Sequence, residues 1–450
     1  MGSLSNQGVS KMKEIVLTTA PQNGLQGVLN VPGDKSISHR ALLIGAISQG
    51  KTIINHFLKS QDCLHTLQAL RQLGVEISEK NDQMIVAGKG IDHLQPANQP
   101  LDMGNSGTTT RLLLGLLAGR TFNTELQGDA SLSRRPMKRV SEPLQKMGAA
   151  IKLTSTGTLP AIIQGKKLWG KRISLEIASA QVKSAVIFAA LQADGPTTII
   201  EKLPTRNHTE LMLQQFGAEV VTAVDQRTIT VLPHPHLRGQ LVQVPGDPSS
   251  AAFFMAAATL VPNSAIVLKN ISLNPTRIGF LRILQKMGGK VSVLKQANVP
   301  ETYGDIKVES AKLHAIELTA ADIPAVIDEL PLVALLAASA VGTSKITGAA
   351  ELRVKETDRI ATVTAELHKL GIKITELPDG MIITGSSNWQ PRAYQLDSHG
   401  DHRIGMMLAV AALCVHQSLT LQQADAVNIS YPNFFTDLQQ LLGQSKQVRL

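Results

Sequence analysis

Apolar and polar positions follow a recurring order along this chain: an amphipathic, helix-like segment ends at a glycine, and a β-branched, strand-like run comes next. The junctions are Leu73-Gly74-Val75-Glu76-Ile77, Met147-Gly148-Ala149-Ala150-Ile151, Phe216-Gly217-Ala218-Glu219-Val220, Met287-Gly288-Gly289-Lys290-Val291, Leu370-Gly371-Ile372-Lys373-Ile374 and Leu442-Gly443. Glycine suits a left-handed helix stop, because it takes positive φ without a Cβ clash. One such junction is ordinary. The six glycines are 74, 69, 71, 83 and 72 residues apart, and this regularity predicts a repeated α/β unit of about 70 residues in which helices cover a sheet.

Four segments are nearly apolar all round: Ser184 to Ala193, Ala251 to Leu260, Leu330 to Val341 and Ile404 to Val415. Helices of that kind are buried. The longest apolar stretch, Gly405 to Val415, is well short of the ~20 residues that cross a bilayer, so no membrane association is expected. A chain of 450 residues exceeds what one core organises. The tetrapeptide Val-Pro-Gly-Asp, at Val31 to Asp34 and again at Val244 to Asp247, divides it. The expected organisation is a domain of three units over residues 32–245, inserted into a discontinuous one made of 1–31 and 246–450. Residues before Val31 go with the second domain because the sixth unit ends without a following strand pair. The first tetrapeptide runs on into Lys35-Ser36-Ile37-Ser38-His39-Arg40 and the second into Pro248-Ser249-Ser250-Ala251-Ala252-Phe253. Only the first kept its cations. That copy is expected to build an anion site, and Asp247 with the neighbouring hydroxyls to complete a hinge or line the far side of a cleft.

Composition narrows the class. With 43% apolar and 18% charged residues the chain is neither disordered nor a coiled coil. Forty-four Lys+Arg against 35 Asp+Glu leave a charge of +9, which suits nucleic acid, an anionic membrane or small anionic substrates. Aromatics are only 3%, and no Lys/Arg run is interleaved with Phe or Tyr, which argues against a stacking platform for single-stranded nucleic acid. Cys63 and Cys414 are the only cysteines, too few for a disulfide framework or a thiolate metal cluster, as suits a reducing cytosol. Met1 to Glu14 lacks the apolar core of a signal peptide, and Met1 to Val9 reads as a flexible leader.

Four clusters combine cations with Gly, Ser or Thr. Asp34 to Arg40 places Lys35 and Arg40 in the opening turns of a helix, against the macrodipole, a penalty that an anionic ligand would reverse. Gly104-Asn105-Ser106-Gly107-Thr108-Thr109-Thr110-Arg111 is a turn presenting free backbone N–H groups at the start of a buried helix, and it lacks the Gly-Lys-Ser/Thr ending of a P-loop. Ser133 to Arg139 carries four cations in seven residues, with Pro136 suited to the first turn of a helix and Arg135 at its edge. Glu351 to Arg359, read as helix, puts Lys355 and Arg359 four apart on one face, offset by Glu351 and Glu356. Ser179 to Lys183 and Thr205 to His208 add hydroxyls, an amide and an Arg at helix starts. Asp328-Glu329 precedes the apolar run from Leu330, where a carboxylate is also good capping. His399 and His402 could suggest a metal, but no third ligand is evident, and cap or substrate contacts suit them better. Taken singly each cluster reads as an ordinary solvated surface; together they place cations and hydroxyls at five or six apolar helix starts, as a polyanion-binding cleft would.

These clusters resemble the 5-enolpyruvylshikimate-3-phosphate synthase family in Pro32 to Arg40, Gly104 to Thr108, Arg135-Pro136-Met137, Ser179-Ala180-Gln181, Leu352 to Arg359 and Asp401-His402-Arg403. The resemblance spans about Val31 to Pro432 in the family's order, and the Arg353 to Arg359 stretch is highly specific. It implies an α/β fold of two similar domains, each of three βαβαββ units, an inside-out α/β barrel with helix N-termini facing an interdomain cleft. It also implies transfer of the enolpyruvyl group of phosphoenolpyruvate to the 5-hydroxyl of shikimate 3-phosphate, with no cofactor and no metal, by a monomer. Carried over by position, Lys35, Ser36, Arg40, Ser179, Gln181, Arg206, Asp328 and Lys355 correspond to shikimate 3-phosphate contacts. Lys35, Gly107, Arg135, Gln181, Arg359 and Arg403 correspond to phosphoenolpyruvate contacts. Asp328 resembles the base at the attacking hydroxyl, and Glu356 with Lys355 the proton-transfer groups at the enol; Lys35 also stands at the reacting centre.

Three positions depart from the family's best-known pattern: Ala180 for a second Ser, Glu351 for Asn, and Asn428-Ile429-Ser430 without the Lys often found before the Tyr/Phe-Pro pair. They suggest the divergent class that includes glyphosate-tolerant members, whereas Gly107 is the small residue usual in inhibitable ones. The sister enzyme acting on a UDP-amino sugar typically carries a loop Cys near the Arg135 region, and none lies between Cys63 and Cys414. An RNA-binding protein on a related repeat fold, motivated by the basic excess, would show salt-dependent RNA binding; none of practical strength is expected.

Overall fold

The computed structural model describes residues 14–17, 19–298 and 301–443. The leader expected over Met1 to Val9 lies outside them. The described residues form twelve α-helices: α1 (Lys35–Ile47), α2 (Gln61–Gln72), α3 (Gly107–Ala118), α4 (Lys138–Lys146), α5 (Ala180–Ala190), α6 (His208–Phe216), α7 (Pro248–Leu260), α8 (Gly279–Lys286), α9 (Leu330–Ser339), α10 (Arg359–Lys369), α11 (His402–Ala412) and α12 (Phe434–Leu441). Odd and even helices differ in kind. The odd ones have almost no solvent face, and α11 is buried along its whole length. The even ones are amphipathic, as in α8, where Phe280, Leu281, Ile283 and Leu284 are buried and the last turn carries Lys286.

Strands alternate buried and open positions, as in Ala161–Gln164, so each sheet keeps one face to solvent. Odd helices are therefore the inner layer and sheets the outer one, with α3 packed on α5, and α7 on α9 and α11. Among the described residues there are five four-stranded sheets and one of three strands. The repeat is plain in Leu101–Asp102 and Asn123–Gln127, which run parallel, followed by the antiparallel hairpin of Ala150–Lys152 and Ala161–Gln164. Among the described residues no sheet closes on itself, so the expected inside-out barrel takes the form of separate sheets laid over inner helices.

Buried apolar side chains form two clusters. One runs from Ile37 to Val244, and the other joins Leu17 to Val31 with Ala251 to Leu442. The elements on each make a first and a second lobe. Glu14–Leu17 pairs antiparallel with Leu419–Gln422, supplying the strand that the last unit lacks. Strand exchange goes further: Gln26–Leu29, which leads into α1 of the first lobe, pairs with Ala265–Ser272 of the second. Reciprocally Leu241–Gln243, which leads into α7, pairs with Gln49–Asn55 of the first.

Each crossing is a Val-Pro-Gly-Asp, and the two bind one another. Asp34 N–H donates to the Pro245 carbonyl at 2.8 Å and Asp247 N–H to the Pro32 carbonyl at 2.9 Å. A Cβ on Gly33 would lie 2.0 Å from the His56 carbonyl oxygen, so the close approach requires glycine there. Asp34 and Asp247 cap α1 and α7. Between them lies Arg277, 4% exposed, at 3.1 Å from Asp34 Oδ2 and 3.0 Å from Asp247 Oδ1. Burial opposes ionisation of Asp34, yet Arg277 and the Ile37 N–H hold its carboxyl below the ordinary range.

The six junction glycines end the even helices at φ between +68° and +103°. The one long interval, Gly288 to Gly371, contains a hairpin with strands of nine and eight residues, Lys290–Asn298 and Thr302–Glu309, where its counterpart Lys373–Leu377 with Gly380–Thr384 has five and five.

Two stability predictions follow from this geometry. Ala at Gly443, with φ +68° and no described residue within 4 Å of the added Cβ, is expected to lower stability by about 1 kcal/mol. At Gly371 the added Cβ would meet the Gln390 carbonyl at 2.2 Å, and the loss should reach about 3 kcal/mol or more; urea unfolding of the two variants separates strain from collision. Arg277→Leu strands two carboxylates and should lose about 3–5 kcal/mol at pH 7. In the parent, the depressed Asp34 pKa gives stability that is present above the ordinary aspartate value of 3.8 and lost as pH falls through the folded pKa. In the variant, burial without the cation raises that pKa, so protonation favours the folded state and the deficit shrinks from pH 7 towards 4. A deficit independent of pH would show that Arg277 acts only by packing.

Candidate active site

All six inner helices point their N-termini into one cavity of about 390 Å³ between the lobes. Side chains prepare these ends: Asp34, Ser106, Ser179, Asp247 and Asp401 each accept a hydrogen bond from a backbone N–H of the helix they precede. The remaining N–H groups and the aligned peptide dipoles favour anions. Every position that the family resemblance assigned to substrate or proton transfer lines this cavity: Lys35, Ser36, Arg40, Gly107, Arg135, Ser179, Gln181, Arg206, Asp328, Lys355, Glu356, Arg359 and Arg403.

Asp328 sits at the centre of its charge. Its carboxylate lies 2.5 Å from Arg206 Nη2, 3.6 Å from Lys355 Nζ, 3.8 Å from Arg359 Nη1 and 3.9 Å from Arg403 Nη2. Burial opposes ionisation, but Arg206, Lys355, Arg403 and Arg359 together hold the carboxyl well below its ordinary range. Glu356 is likewise held well below: against burial, Arg359 at 2.7 Å and Arg135 at 3.4 Å keep it ionised. Lys355 is lowered, chiefly by burial and by Arg359. Lys35 is raised against the pull of burial, because Asp62 accepts from it at 2.9 Å.

The guanidinium groups are fixed from behind. Arg40 donates to Thr209 Oγ1 at 2.6 Å, Ser184 Oγ at 2.8 Å and the Ser36 carbonyl at 3.0 Å; burial pushes its pKa down to about 10. Arg359 is held by Asp401 at 2.7 Å. Arg135 bonds Asn105 Oδ1 at 2.5 Å, and Gln181 donates to Thr108 Oγ1 at 2.9 Å. A Cβ on Gly107 would lie 3.2 Å from Arg135 Nη1, so the helix start is narrowed there to backbone.

Several sequence expectations are corrected. Lys355 and Arg359 do not share a helix face: Ala350–Val354 is 3-10 helix, and Asp358 caps α10 so that it starts at Arg359. Lys355 is thereby free to reach Asp328 rather than stack beside Arg359. Pro136 precedes α4, which starts at Lys138. Glu329 does not cap α9 but pairs with Arg403 Nη1 at 3.2 Å. The two histidines are apart in role: His399 bonds Glu366 at 2.8 Å, whereas His402, 2% exposed, lines the cavity with both ring nitrogens unpartnered. Burial pushes its pKa down to about 4, so the imidazole is neutral at pH 7. No group of three or more His, Cys, Asp or Glu among the described residues could hold a metal ion.

Sequence reasoning did not assign to the site Asp62, Arg111, Arg139, Glu351 and Arg277, all of which line the cavity. Arg111 and Arg139 stood inside quoted clusters. Glu351, one of the departures from the family pattern, pairs with Arg139 across the cleft. Asp62 and Arg277 lie in segments with no local signal, and only their neighbours in space give them a place.

Comparison with known proteins places the chain in a family. The family model for EPSP synthase (3-phosphoshikimate 1-carboxyvinyltransferase) matches residues 19–438. Among similar proteins, the 3-phosphoshikimate 1-carboxyvinyltransferases of Lactiplantibacillus plantarum and Limosilactobacillus fermentum are 59% and 55% identical, covering 94% of this chain and 98% of each relative. A solved EPSP synthase from Acinetobacter baumannii is 39% identical with a TM-score of 0.83, covering 95% of this chain and 98% of that one. The enolpyruvyl transferase NikO from Streptomyces tendae, 18% identical with a TM-score of 0.74 over 95% of this chain and 97% of its own, shares the fold. The cation-lined cleft, the repeated α/β units and a family match running over nearly the whole chain agree, and the chain belongs to the EPSP synthase family, the 3-phosphoshikimate 1-carboxyvinyltransferases.

Proposed function

We propose that the cleft between the lobes is the catalytic site of this protein, which transfers the enolpyruvyl group of phosphoenolpyruvate to the 5-hydroxyl of shikimate 3-phosphate, releasing phosphate. The reaction belongs to aromatic amino-acid biosynthesis. One observation carries the assignment: Asp328 and Glu356, both ionised, are surrounded by cations from both lobes at the mouths of six helices. Two anionic substrates need that charge, and a buried carboxylate within it can move protons.

The roles divide along the cleft wall. Lys35, Ser36, Arg40, Ser179, Gln181 and Arg206 hold the phosphate and carboxylate of shikimate 3-phosphate, with Lys35 reaching both substrates. Arg135, Arg359 and Arg403, with the Gly107 N–H and Gln181, clamp phosphoenolpyruvate; the guanidinium fork suits carboxylate and phosphate oxygens. Asp328 takes the proton of the 5-hydroxyl as its oxygen bonds to the enol carbon. Glu356, having taken a proton from Lys355, delivers it to the methylene carbon. The methyl group of the adduct then returns a proton to Glu356, the carbon–oxygen bond to phosphate breaks, and the enol double bond re-forms. Glu356 begins ionised, but substrate anions occupy Arg135 and Arg359 and repel its charge, which raises its proton affinity at the step that needs an acid. Fixed guanidinium groups and helix dipoles stabilise the departing phosphate.

One chain supplies both cleft walls, which supports action as a monomer on small anions rather than on nucleic acid. Two free cysteines and no disulfide suit the cytoplasm. The division into 32–245 and 1–31 with 246–450 places its boundaries at the paired crossovers, so that the domains close on substrate and exclude water.

Phosphate release should require phosphoenolpyruvate together with shikimate 3-phosphate. Turnover only with a UDP-amino sugar, or with neither acceptor, would overturn the reading. Glu356→Gln should lower kcat by about a hundredfold or more, while the shikimate 3-phosphate dissociation constant, from calorimetry, stays within about threefold. Equal loss of binding and turnover would make Glu356 a ligand or a structural residue.

A further inference from the structure

The 83-residue interval between Gly288 and Gly371 has its excess in the long hairpin of the second lobe, and Glu301, just ahead of the second strand of that hairpin, meets the first lobe. Glu301 is 7% exposed. Its two oxygens lie 2.8 and 3.0 Å from Nδ1 of His208, the first residue of α6. Oε2 also accepts from Asn274 Nδ2 at 2.8 Å, and the same amide donates to Asn207 Oδ1 at 2.9 Å. Asn207 stands at the N-cap of α6 without capping it, its side chain being given to the other lobe instead. Arg206 is the next residue back along the chain. Arg277, three residues beyond Asn274, donates to Ser36 Oγ at 3.2 Å. One carboxylate thus organises two loops, each ending in a cavity-lining Arg.

Glu301 and Asn274 do not themselves line the cavity, so neither is placed to touch substrate. A buried, ionised carboxylate is a poor source of net stability beside an apolar group of equal volume, and its best-attested use is to register two elements. Against burial, His208 and the Asn274 amide hold Glu301 below the ordinary carboxylate range. The hydrogen bonds point across the lobe boundary, towards the loop whose Arg206 meets Asp328.

We propose that Glu301 is a positioning residue that registers the Arg206 loop of the first lobe against the second, and so sets the affinity for shikimate 3-phosphate without contacting either substrate. The inference rests on the proposed place of Arg206 in the shikimate 3-phosphate pocket.

Steady-state kinetics of the full-length enzyme test it with Glu301→Ala, Glu301→Gln, Asn207→Ala and Arg206→Ala. Glu301→Ala is expected to raise KM for shikimate 3-phosphate about tenfold, with kcat changed less than about threefold and KM for phosphoenolpyruvate, at saturating shikimate 3-phosphate, unaltered. Glu301→Gln keeps an acceptor for Asn274 and should fall between Ala and the parent. Asn207→Ala leaves the hairpin intact and decides the matter if the Glu301 variants fold poorly: it should reproduce the KM rise, and combined with Glu301→Ala give less than the product of the two effects. Loss of kcat with both KM values unchanged, a parallel rise in both, or parent-like kinetics in Glu301→Ala and Asn207→Ala would overturn the inference. If Arg206→Ala raises the shikimate 3-phosphate KM while the other variants do not, positioning by Glu301 fails alone; if Arg206→Ala leaves it unchanged, the placement of Arg206 fails and the inference with it.

Discussion

Cations crowded into one cleft repel one another, and everything around this site depends on how that repulsion is balanced. Two unit charges 4 Å apart interact by about 4 kcal/mol at an effective dielectric of 20, and Asp328 alone faces four cations within 3.9 Å. The carboxylates of Asp328, Glu356, Asp401 and Asp62 let the lobes approach while the helix ends stay positive. An arrangement of this kind can take up anions in exchange for ion pairs already made. The proton affinity of Glu356 therefore responds to any anion that sits against Arg359 and Arg135.

That balance needs two walls held at a fixed separation. The paired crossovers provide it: reciprocal hydrogen bonds between Asp34, Pro245, Asp247 and Pro32, with Arg277 between the two aspartates. Each crossover aspartate also caps the first inner helix of a lobe, so the backbone joint and the orientation of α1 and α7 are set by the same side chains. Arg277 then touches Ser36 in the cavity, which brings the joint within one hydrogen bond of the cavity wall built by α1. Strand exchange reinforces this, since each lobe's sheet includes a strand that leads into the other lobe's helix.

Much of this was legible in local pattern. Helix stops at six glycines, all-apolar inner helices and clusters of hydroxyls and cations at helix starts are short-range properties, governed by φ/ψ sterics, burial and capping within a few residues. The thirteen positions carried over from the family resemblance all line the cavity, several of them at inner-helix starts that the repeated unit aims alike. The register of Glu351 to Arg359 was misread because charge spacing alone suggests a helix, whereas the Asp358 cap begins the helix only after Lys355.

The chain's own pattern thus determined the repeat, the two cores and the residue types of the cleft, since each of these depends on neighbours close in sequence. Tertiary structure alone decided which strand each crossover strand pairs with, that Arg277 and Asp62 belong to the site, and that Glu301 meets His208, a residue 93 positions away. Those outcomes depend on which polar groups are left to neutralise one another once two lobes have buried their apolar faces. No periodicity records them, because a buried charge is placed by its partner in space and not by its place in the repeat.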